Sequence, residues 1–150
     1  YANERRKIMK TPFYMLVFKA FHAQRQKNRM NMNAFRLSPG QPKVLRYIQN
    51  HKDCKLKDIA KECDIESATV SKILDNLEEK GMITKAINPQ NKRAYQLNLT
   101  VEGEKALEKW DEHCLEIEQI SLKGFSEKEK QQFQEYLSRM YTNLTGKEIL

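Results

Sequence analysis

The chain has 150 residues, of which 39% are hydrophobic and 31% charged, a balance typical of one globular domain. No segment approaches the ~18 consecutive apolar residues of a transmembrane helix. No apolar stretch of signal-peptide type follows the basic N-terminus. The three cysteines have no paired spacing, which argues against a disulfide framework. We therefore expect reduced thiols, a cytoplasmic location and no membrane partner.

The net charge of +7 is distributed unevenly along the chain. Residues 1–37 contain nine Lys or Arg and one Glu, whereas residues 104–150 contain seven Lys or Arg and ten Asp or Glu. A basic excess favours a polyanionic partner, with nucleic acid ahead of an anionic membrane surface. A solvated surface that binds nothing explains the charge equally well, so a motif is needed before the charge indicates a function.

Apolar residues at three- and four-residue spacing predict a first helix from Thr11 to about Met32, with Pro12 in its first turn. The segment 37–40 is a break. A short helix follows, with Val44, Leu45 and Ile48 on one face. The polar segment 50–55 is predicted to be a turn.

The next two helices are separated by a tight turn at Asp64–Glu66. The first is short and has Cys63 on its apolar face. The second is predicted from Ser67 to about Lys80, because its apolar residues follow the i, i+3, i+4, i+7 pattern closely. Gly81 occupies the position of a helix C-terminal glycine.

After Gly81 the apolar period changes from helix to strand. Segments 83–87 and 95–99 alternate in polarity, and the polar segment 88–93 lies between them. The pattern predicts a β-hairpin with a rather long loop that carries Lys92 and Arg93 at its tip.

Two helices are predicted to complete the chain. Thr100 is a plausible N-cap for a helix that extends to about Leu122. Ser126 and Glu129 have the spacing of a capping box and open the last helix.

Three helices followed by a hairpin is the element order of a winged helix-turn-helix, so we predict a mostly α fold with a small β-hairpin wing. In such a motif the second helix of the pair lies in the DNA major groove and contacts base edges through its N-terminal residues. The outward residues of that half are small, polar or basic: Ser67, Ala68, Thr69, Ser71 and Lys72. An ordinary amphipathic surface helix has the same stripe, and the arginine of the hairpin, suited to a minor groove, favours DNA.

Residues 37–103 resemble the MarR family of bacterial transcription regulators. The most specific segments are SATVSKILDNLEEKGMI, the wing NPQNKRAYQLNLT and the T-x-x-G at Thr100–Gly103. The resemblance implies a single MarR-like domain over residues 1–150, with a winged lobe at 37–103 and dimerisation helices at 1–36 and 104–150. It further implies a homodimer on a pseudo-palindromic site, commonly a repressor that is released by a small ligand or by thiol oxidation.

By position, the resemblance assigns Gln41 and Lys43 to DNA phosphate, and we add Lys55 at the start of the third helix. The family wing usually reads Asp-x-Arg, whereas this chain has Asn91-Lys92-Arg93. Asn91 can hydrogen-bond Arg93 but cannot form an ion pair with it. The turn before the third helix also lacks the usual Ser or Thr cap, which lowers the expected stability of that helix by ~1 kcal/mol.

Other functions remain open alternatives at this stage. Winged helices also serve as protein–protein adaptors, and the fold alone does not decide between the two. The chain has no G-x-S-x-G, P-loop, G-x-G-x-x-G or H-E-x-x-H motif, so we expect neither an enzyme nor a cofactor.

A thiol-sensing or metal-sensing regulator is a further alternative. A sensing cysteine needs a lowered pKa and some exposure. Cys63 and Cys114 lie on apolar helix faces, so Cys54, near a turn beside Lys52 and Lys55, is the best candidate. A metal site would draw on Glu112, His113, Cys114 and Glu116, with His22 as a further candidate ligand. These residues lack tight ligand spacing, so we expect no metal. By position only, the pocket of an unidentified effector would include Tyr14, Phe18 and Trp110.

Overall fold

The computed structural model describes residues 10–51 and 53–149. In chain order the elements are α1 (Phe13–Arg29), the 3-10 turn η1 (Met32–Phe35), α2 (Gln41–Asn50), β1 (Asp53–Cys54), α3 (Leu56–Cys63), α4 (Ser67–Glu79), β2 (Ile83–Asn88), β3 (Asn91–Leu99), α5 (Val101–Ser121) and α6 (Glu127–Thr145). The chain divides into two units, one up to Leu115 and one from Glu116 onward. The mostly α fold with a β-hairpin wing is confirmed.

The first helix is shorter than its apolar pattern predicts. Pro12 lies at the N-cap, with φ −57° and ψ 148°, rather than inside the first turn, and the helix ends at Arg29. The chain then tightens into η1, which ends at Arg36 in a left-handed conformation with φ 58°. Part of the predicted dimerisation segment 1–36, residues 1–9, lies outside the described residues.

The core of the first unit forms where α2, α3 and α4 pack on the sheet. Each helix contributes one apolar face, as the spacing predicts, and the cluster extends to the start of α5. Its most deeply buried side chains are Leu37, Val44, Leu45, Ile59, Val70, Leu74, Leu77, Met82, Leu97 and Leu107. Burial of these side chains supplies the main stabilisation of the helix-turn-helix, because each such side chain contributes ~1.5–3 kcal/mol relative to exposure.

The sheet has three strands in the order β1-β3-β2, all antiparallel. The predicted polar turn at 50–55 is wrong in part, since Asp53 and Cys54 form a short strand that pairs with Gln96 and Tyr95. This pairing depends on a partner far along the chain, which local polarity does not reveal.

The wing has a shorter loop than predicted. Asn88 pairs with Asn91, so Pro89 and Gln90 alone connect the two strands. Lys92 and Arg93 therefore lie near the start of β3, and their prediction as loop-tip residues is corrected. They fall in an irregular stretch of the hairpin, between the Asn88–Asn91 pair and the Ile87–Tyr95 pair. A strand backbone restrains both side chains more than a long loop would.

The joint between the wing and α5 is close-packed. Thr100 Oγ1 accepts a hydrogen bond from the Gly103 backbone N–H at 3.2 Å, as expected of an N-cap. The same hydroxyl donates to the backbone oxygen of Gly81. A Cβ on Gly103 would overlap the carbonyl oxygen of Met82, so only glycine allows this approach.

The second unit contains the end of α5 and all of α6. The predicted capping box is confirmed, because Ser126 Oγ accepts from Glu129 N and the Glu129 carboxylate accepts from Ser126 N. Phe125 and Phe133 meet edge to face, with ring centroids 6.0 Å apart. Across residues 10–51 and 53–149, none of the helices combines the length and apolar character needed to span a membrane.

We predict that Gly103→Ala destabilises the protein. Helix propensity alone favours alanine by ~1 kcal/mol, whereas the added Cβ collides with the Met82 carbonyl and should cost about 2–3 kcal/mol as overpacking. Chemical denaturation measures the free energy of unfolding, with Glu104→Ala as the control at an exposed neighbouring position. A Gly103→Ala protein as stable as wild type would contradict the close-packed joint.

Candidate nucleic-acid interface

Helix α4 presents a polar surface at its N-terminal half. The residues assigned to the major groove lie on that half, and Ser67, Ala68, Thr69 and Lys72 are exposed, while Ser71 is half-buried. The opposite face is deeply buried: Val70 and Leu77 are 0% exposed and Leu74 is 1% exposed. The buried face determines which residues face outward, and α4 begins at Ser67 as predicted.

The N-terminus of α4 carries no side-chain cap. Glu66 occupies the N-cap position without accepting a hydrogen bond there, and no acidic residue lies in the first turn. The free backbone N–H groups and the positive end of the helix dipole therefore remain open to an anion. Backbone phosphate is one group that helix N-termini bind in protein–DNA complexes.

The acidic second half of α4 is partly neutralised by the wing. Lys85 Nζ on β2 donates to Asp75 Oδ1 at 3.0 Å and lies 5.3 Å from the centre of the Tyr95 ring. The hydrogen bond to Asp75 raises the pKa of Lys85. Lys85 was not predicted from the sequence as part of this site. The signal in the sequence was a lysine in the first wing strand, ten residues after the outward-facing Asp75.

Two asparagines order the wing tip. Asn88 Oδ1 accepts from the Gln90 backbone N–H at 2.9 Å, and Asn91 Oδ1 accepts from the Arg93 backbone N–H at 3.1 Å. Both are side-chain turns of the kind that Asn forms with the backbone two residues onward. Asn91 thus hydrogen-bonds the backbone of Arg93 rather than its guanidinium, and the Arg93 side chain lies exposed on β3.

The three residues assigned to phosphate have different environments. The assignment of Gln41 to DNA phosphate is corrected, because its side chain is only 2% exposed and its amide forms internal hydrogen bonds. Lys43 Nζ donates to the backbone oxygen of Cys63 at 2.8 Å and so caps the end of α3. Lys55 is half-buried at the N-cap of α3, without a side-chain cap bond, as the missing Ser or Thr predicted.

Residues 37–95 match the family model described as "MarR family". Over these residues the chain is similar to the MarR family. Among curated relatives, it is 33% identical over 89 residues to the HTH-type transcriptional regulator BilQ of Clostridioides difficile (strain CD3), an alignment that covers 55% of this chain and 60% of BilQ. The family and these relatives are transcription regulators rather than enzymes.

Two further comparisons show the same similarity. The HTH-type transcriptional repressor YetL of Bacillus subtilis (strain 168) is 29% identical over 112 residues, covering 73% of this chain and 66% of YetL. The chain thus spans about three-fifths to two-thirds of the length of these curated relatives. The structure of the S. aureus MepR–DNA complex superposes with a TM-score of 0.75 at 29% identity, covering 89% of this chain and 96% of MepR.

The first unit contains a cleft of about 320 Å³. It is lined by Met32, Gly40, Pro42, Lys43, Arg46, Leu107, Trp110 and Asp111. Trp110, predicted as a pocket residue, lines it, and packs edge to face on Phe35. Tyr14 and Phe18 do not line this cleft; they lie exposed on α1 and contact each other. At the cleft Arg46 pairs with Asp111 and so joins α2 to α5.

The cysteines differ from the expected order of exposure. Cys54 is 1% exposed, and burial, with Asp53 and Asp58 adding to it, raises the pKa of its thiol to about 11. Its selection as the best sensor is therefore wrong, because β1 buries it; its neighbour Lys52 lies outside the described residues. Cys63 is buried as expected, and Cys114, expected in the core, is only half-buried. Burial raises the pKa of both thiols.

The residues considered for a metal are not assembled into a site. His113 is buried between Phe35 and Trp110, and its Nε2 lies 3.1 Å from the backbone oxygen of Asn28, to which it donates. Among the residues that the structure describes, no group of three or more His, Cys, Asp or Glu is placed to hold a metal ion. His113 therefore serves to join the last turn of α1 to α5.

We predict that Cys54 reacts slowly with a thiol reagent in the folded protein. A thiol with a pKa of about 11 is almost entirely protonated at neutral pH, so its rate should rise about tenfold per pH unit toward 11. Alkylation followed by peptide mass mapping should label half-buried Cys114 first. Preferential labelling of Cys54 at neutral pH would contradict its burial, and denatured protein provides the control for intrinsic reactivity.

Proposed function

We propose that this protein is a cytoplasmic, sequence-specific regulator that binds double-stranded DNA as a homodimer on a pseudo-palindromic operator and acts as a repressor. One observation carries the proposal. The N-terminal half of α4 is exposed and has only uncharged or basic outward residues, and a basic wing belongs to the same lobe. A helix and a wing arranged in this way suit adjacent major and minor grooves.

In this proposal each part of the lobe has a separate task. Ser67, Ala68, Thr69, Ser71 and Lys72 contact base edges, while Lys92 and Arg93 enter the minor groove. Lys43, Lys55 and the open N-terminus of α4 contact phosphates, which position the lobe without reading sequence. The similar protein MepR forms a complex with DNA, and the similar protein YetL is a transcriptional repressor, which supports this proposal.

The homodimer is supported by the apolar surfaces of the flanking helices. No residue described in α1 or α6 is buried. On α1, Phe13, Phe18 and Phe21 are 69%, 64% and 58% exposed, and α6 exposes Tyr136 and Leu137. Large apolar patches of this kind mark protein–protein interfaces, because monomeric proteins rarely leave them in water. A second copy of the chain would cover both helices, and two lobes would then read two half-sites.

We predict that Arg93→Ala weakens binding to the DNA that flanks the gene by about tenfold and lowers the slope of log affinity against log salt by about one. The reason is the loss of one guanidinium from the groove, with its released counterion. Filter binding or fluorescence anisotropy at several salt concentrations measures both effects.

Lys109→Ala, an exposed lysine on α5, is the matched control and should bind as wild type does. Equal affinity of Arg93→Ala and wild type would show that Arg93 is only a surface cation. Capture of a protein partner without any DNA affinity would instead support the adaptor function.

The proposed effector site is the cleft beside Trp110. Its lining joins apolar side chains, Met32 and Leu107, to the cations Lys43 and Arg46, so it suits a small aromatic anion. Such an anion would compete with Asp111 for Arg46 and loosen the pair that joins α2 to α5. Release of DNA would follow from that change at the joint, because the ligand then binds one arrangement of the lobe better than the other.

We predict that benzoate, the simplest aromatic anion, changes the fluorescence of Trp110, the single tryptophan of the chain, in a saturable way. Arg46→Ala should weaken this binding several-fold because it removes the charge-assisted contact. Arg25→Ala, on α1 and outside the cleft lining, is the control. A linear response, identical in wild type and Arg46→Ala, would contradict an anion site in this cleft.

A further inference from the structure

A polar cluster joins the segment that follows η1 to the C-terminal half of α4. Gln41 Oε1 accepts hydrogen bonds from the Ser38 backbone N–H and from Lys80 Nζ, each at 2.9 Å. Gln41 Nε2 donates to Asn76 Oδ1 at 2.6 Å. Lys80 Nζ donates also to the backbone oxygen of Arg36 at 2.8 Å. We name these five residues, Arg36, Ser38, Gln41, Asn76 and Lys80, the clasp.

A steric contact runs beside these hydrogen bonds. Gly40 has φ +86°, and a Cβ there would lie 3.0 Å from Ile73 Cδ1, closer than side chains normally pack. Ile73, Asn76 and Lys80 follow the i, i+3, i+7 spacing and so form one stripe along α4. The segment 36–41 therefore contacts α4 at three successive points over two helical turns.

Gln41 is the buried centre of the clasp, while Lys80 is half-buried and Arg36, Ser38 and Asn76 are exposed. Gln41 is 2% exposed, and a buried amide is costly unless its donors and acceptors are used, as they are here. Burial, with Arg36 adding to it, lowers the pKa of Lys80, so water solvates its ammonium less than at an open surface. Lys80 lies at the end of α4 distant from the half that is proposed to enter the groove.

We propose that the clasp positions the recognition helix for DNA, and that Gln41 and Lys80 act by holding α4 rather than by contacting DNA. The inference rests on the proposed DNA-binding function and assigns a role to residues outside the interface. The clasp and the adjacent Gly40–Ile73 contact hold α4 at 73–80 and leave Ser67–Lys72 free to enter a groove. A tilt of about 5° at the clasp would move the far end of this 13-residue helix by about 1.7 Å, which is enough to misplace base contacts.

The test compares specific with non-specific binding in four variants. The specific probe is a duplex that the wild-type protein selects from random sequence, and the non-specific probe is a scrambled duplex of equal length. Measured on one sample, the ratio of the two affinities is independent of the folded fraction, because unfolded protein lowers both. The variants are Gln41→Leu, Gln41→Glu, Lys80→Met and, as the matched cation on the same helix, Lys72→Met.

We expect Gln41→Leu and Lys80→Met each to lower the ratio about tenfold, since each removes hydrogen bonds that join the segment 36–41 to the C-terminal half of α4. Gln41→Glu keeps the acceptor for Lys80 and Ser38 and should stay within about threefold of wild type. The salt slope should remain that of wild type in Lys80→Met and fall by about one in Lys72→Met. The combined Gln41→Leu and Lys80→Met change should cost less than the two single changes added.

Two results would overturn the clasp. A lower salt slope in Lys80→Met, like that in Lys72→Met, would make Lys80 a direct DNA contact. An unchanged affinity ratio in Gln41→Leu, with reduced thermal stability alone, would make Gln41 a structural residue without influence on DNA. Failure of the wild-type protein to select any duplex would instead refute the proposed function, so the two failures are distinguishable.

Discussion

Burial of one face of α4 is the constraint on which the rest of the lobe depends. Val70, Leu74 and Leu77 are almost completely removed from water, and they pack with α2, α3 and the sheet. A rotation of the helix about its axis would expose these side chains at a cost of several kcal/mol. Burial of the apolar face therefore determines which way the polar face of α4 points. The packing of the core thus decides which residues of the first two turns face outward.

Polar contacts attach the surrounding elements to α4 at different positions along the helix. Lys85 of the wing pairs with Asp75, and the clasp holds the helix at Asn76 and Lys80. The segment that carries Gly40 contacts α4 on one side and lines the cleft beside Trp110 on the other. A ligand in that cleft would thus act on the same short segment that positions the recognition helix.

Local features were predictable from the sequence, and features that depend on distant partners were not. The start of α4 and the capping box at Ser126 follow from residues within a few positions of each other. Strand β1 does not, because Cys54 pairs with Tyr95, and the same pairing buries a thiol that looked accessible. The wing loop was predicted too long since turn residues continue into β3.

Gln41 shows the same limit at the candidate site. A glutamine at the first position of a helix is usually exposed, and its burial here depends on Lys80 and Asn76, which lie far along the chain. The pattern of outward residues on α4 was predictable because helix geometry alone assigns it. The contacts that orient α4, by contrast, are tertiary and become visible only in the folded chain.

Hydroxyl-radical footprinting of the DNA that flanks the gene tests the central claim most directly. Two recognition helices and two wings on a homodimer should protect the backbone in a two-fold symmetric pattern, with half-sites one helical turn, or a multiple of it, apart. Protection should extend into the minor groove at the outer edge of each half-site, where the wings lie. An absence of protection, or a single unsymmetrical footprint, would contradict the account of the protein as a dimeric winged-helix regulator.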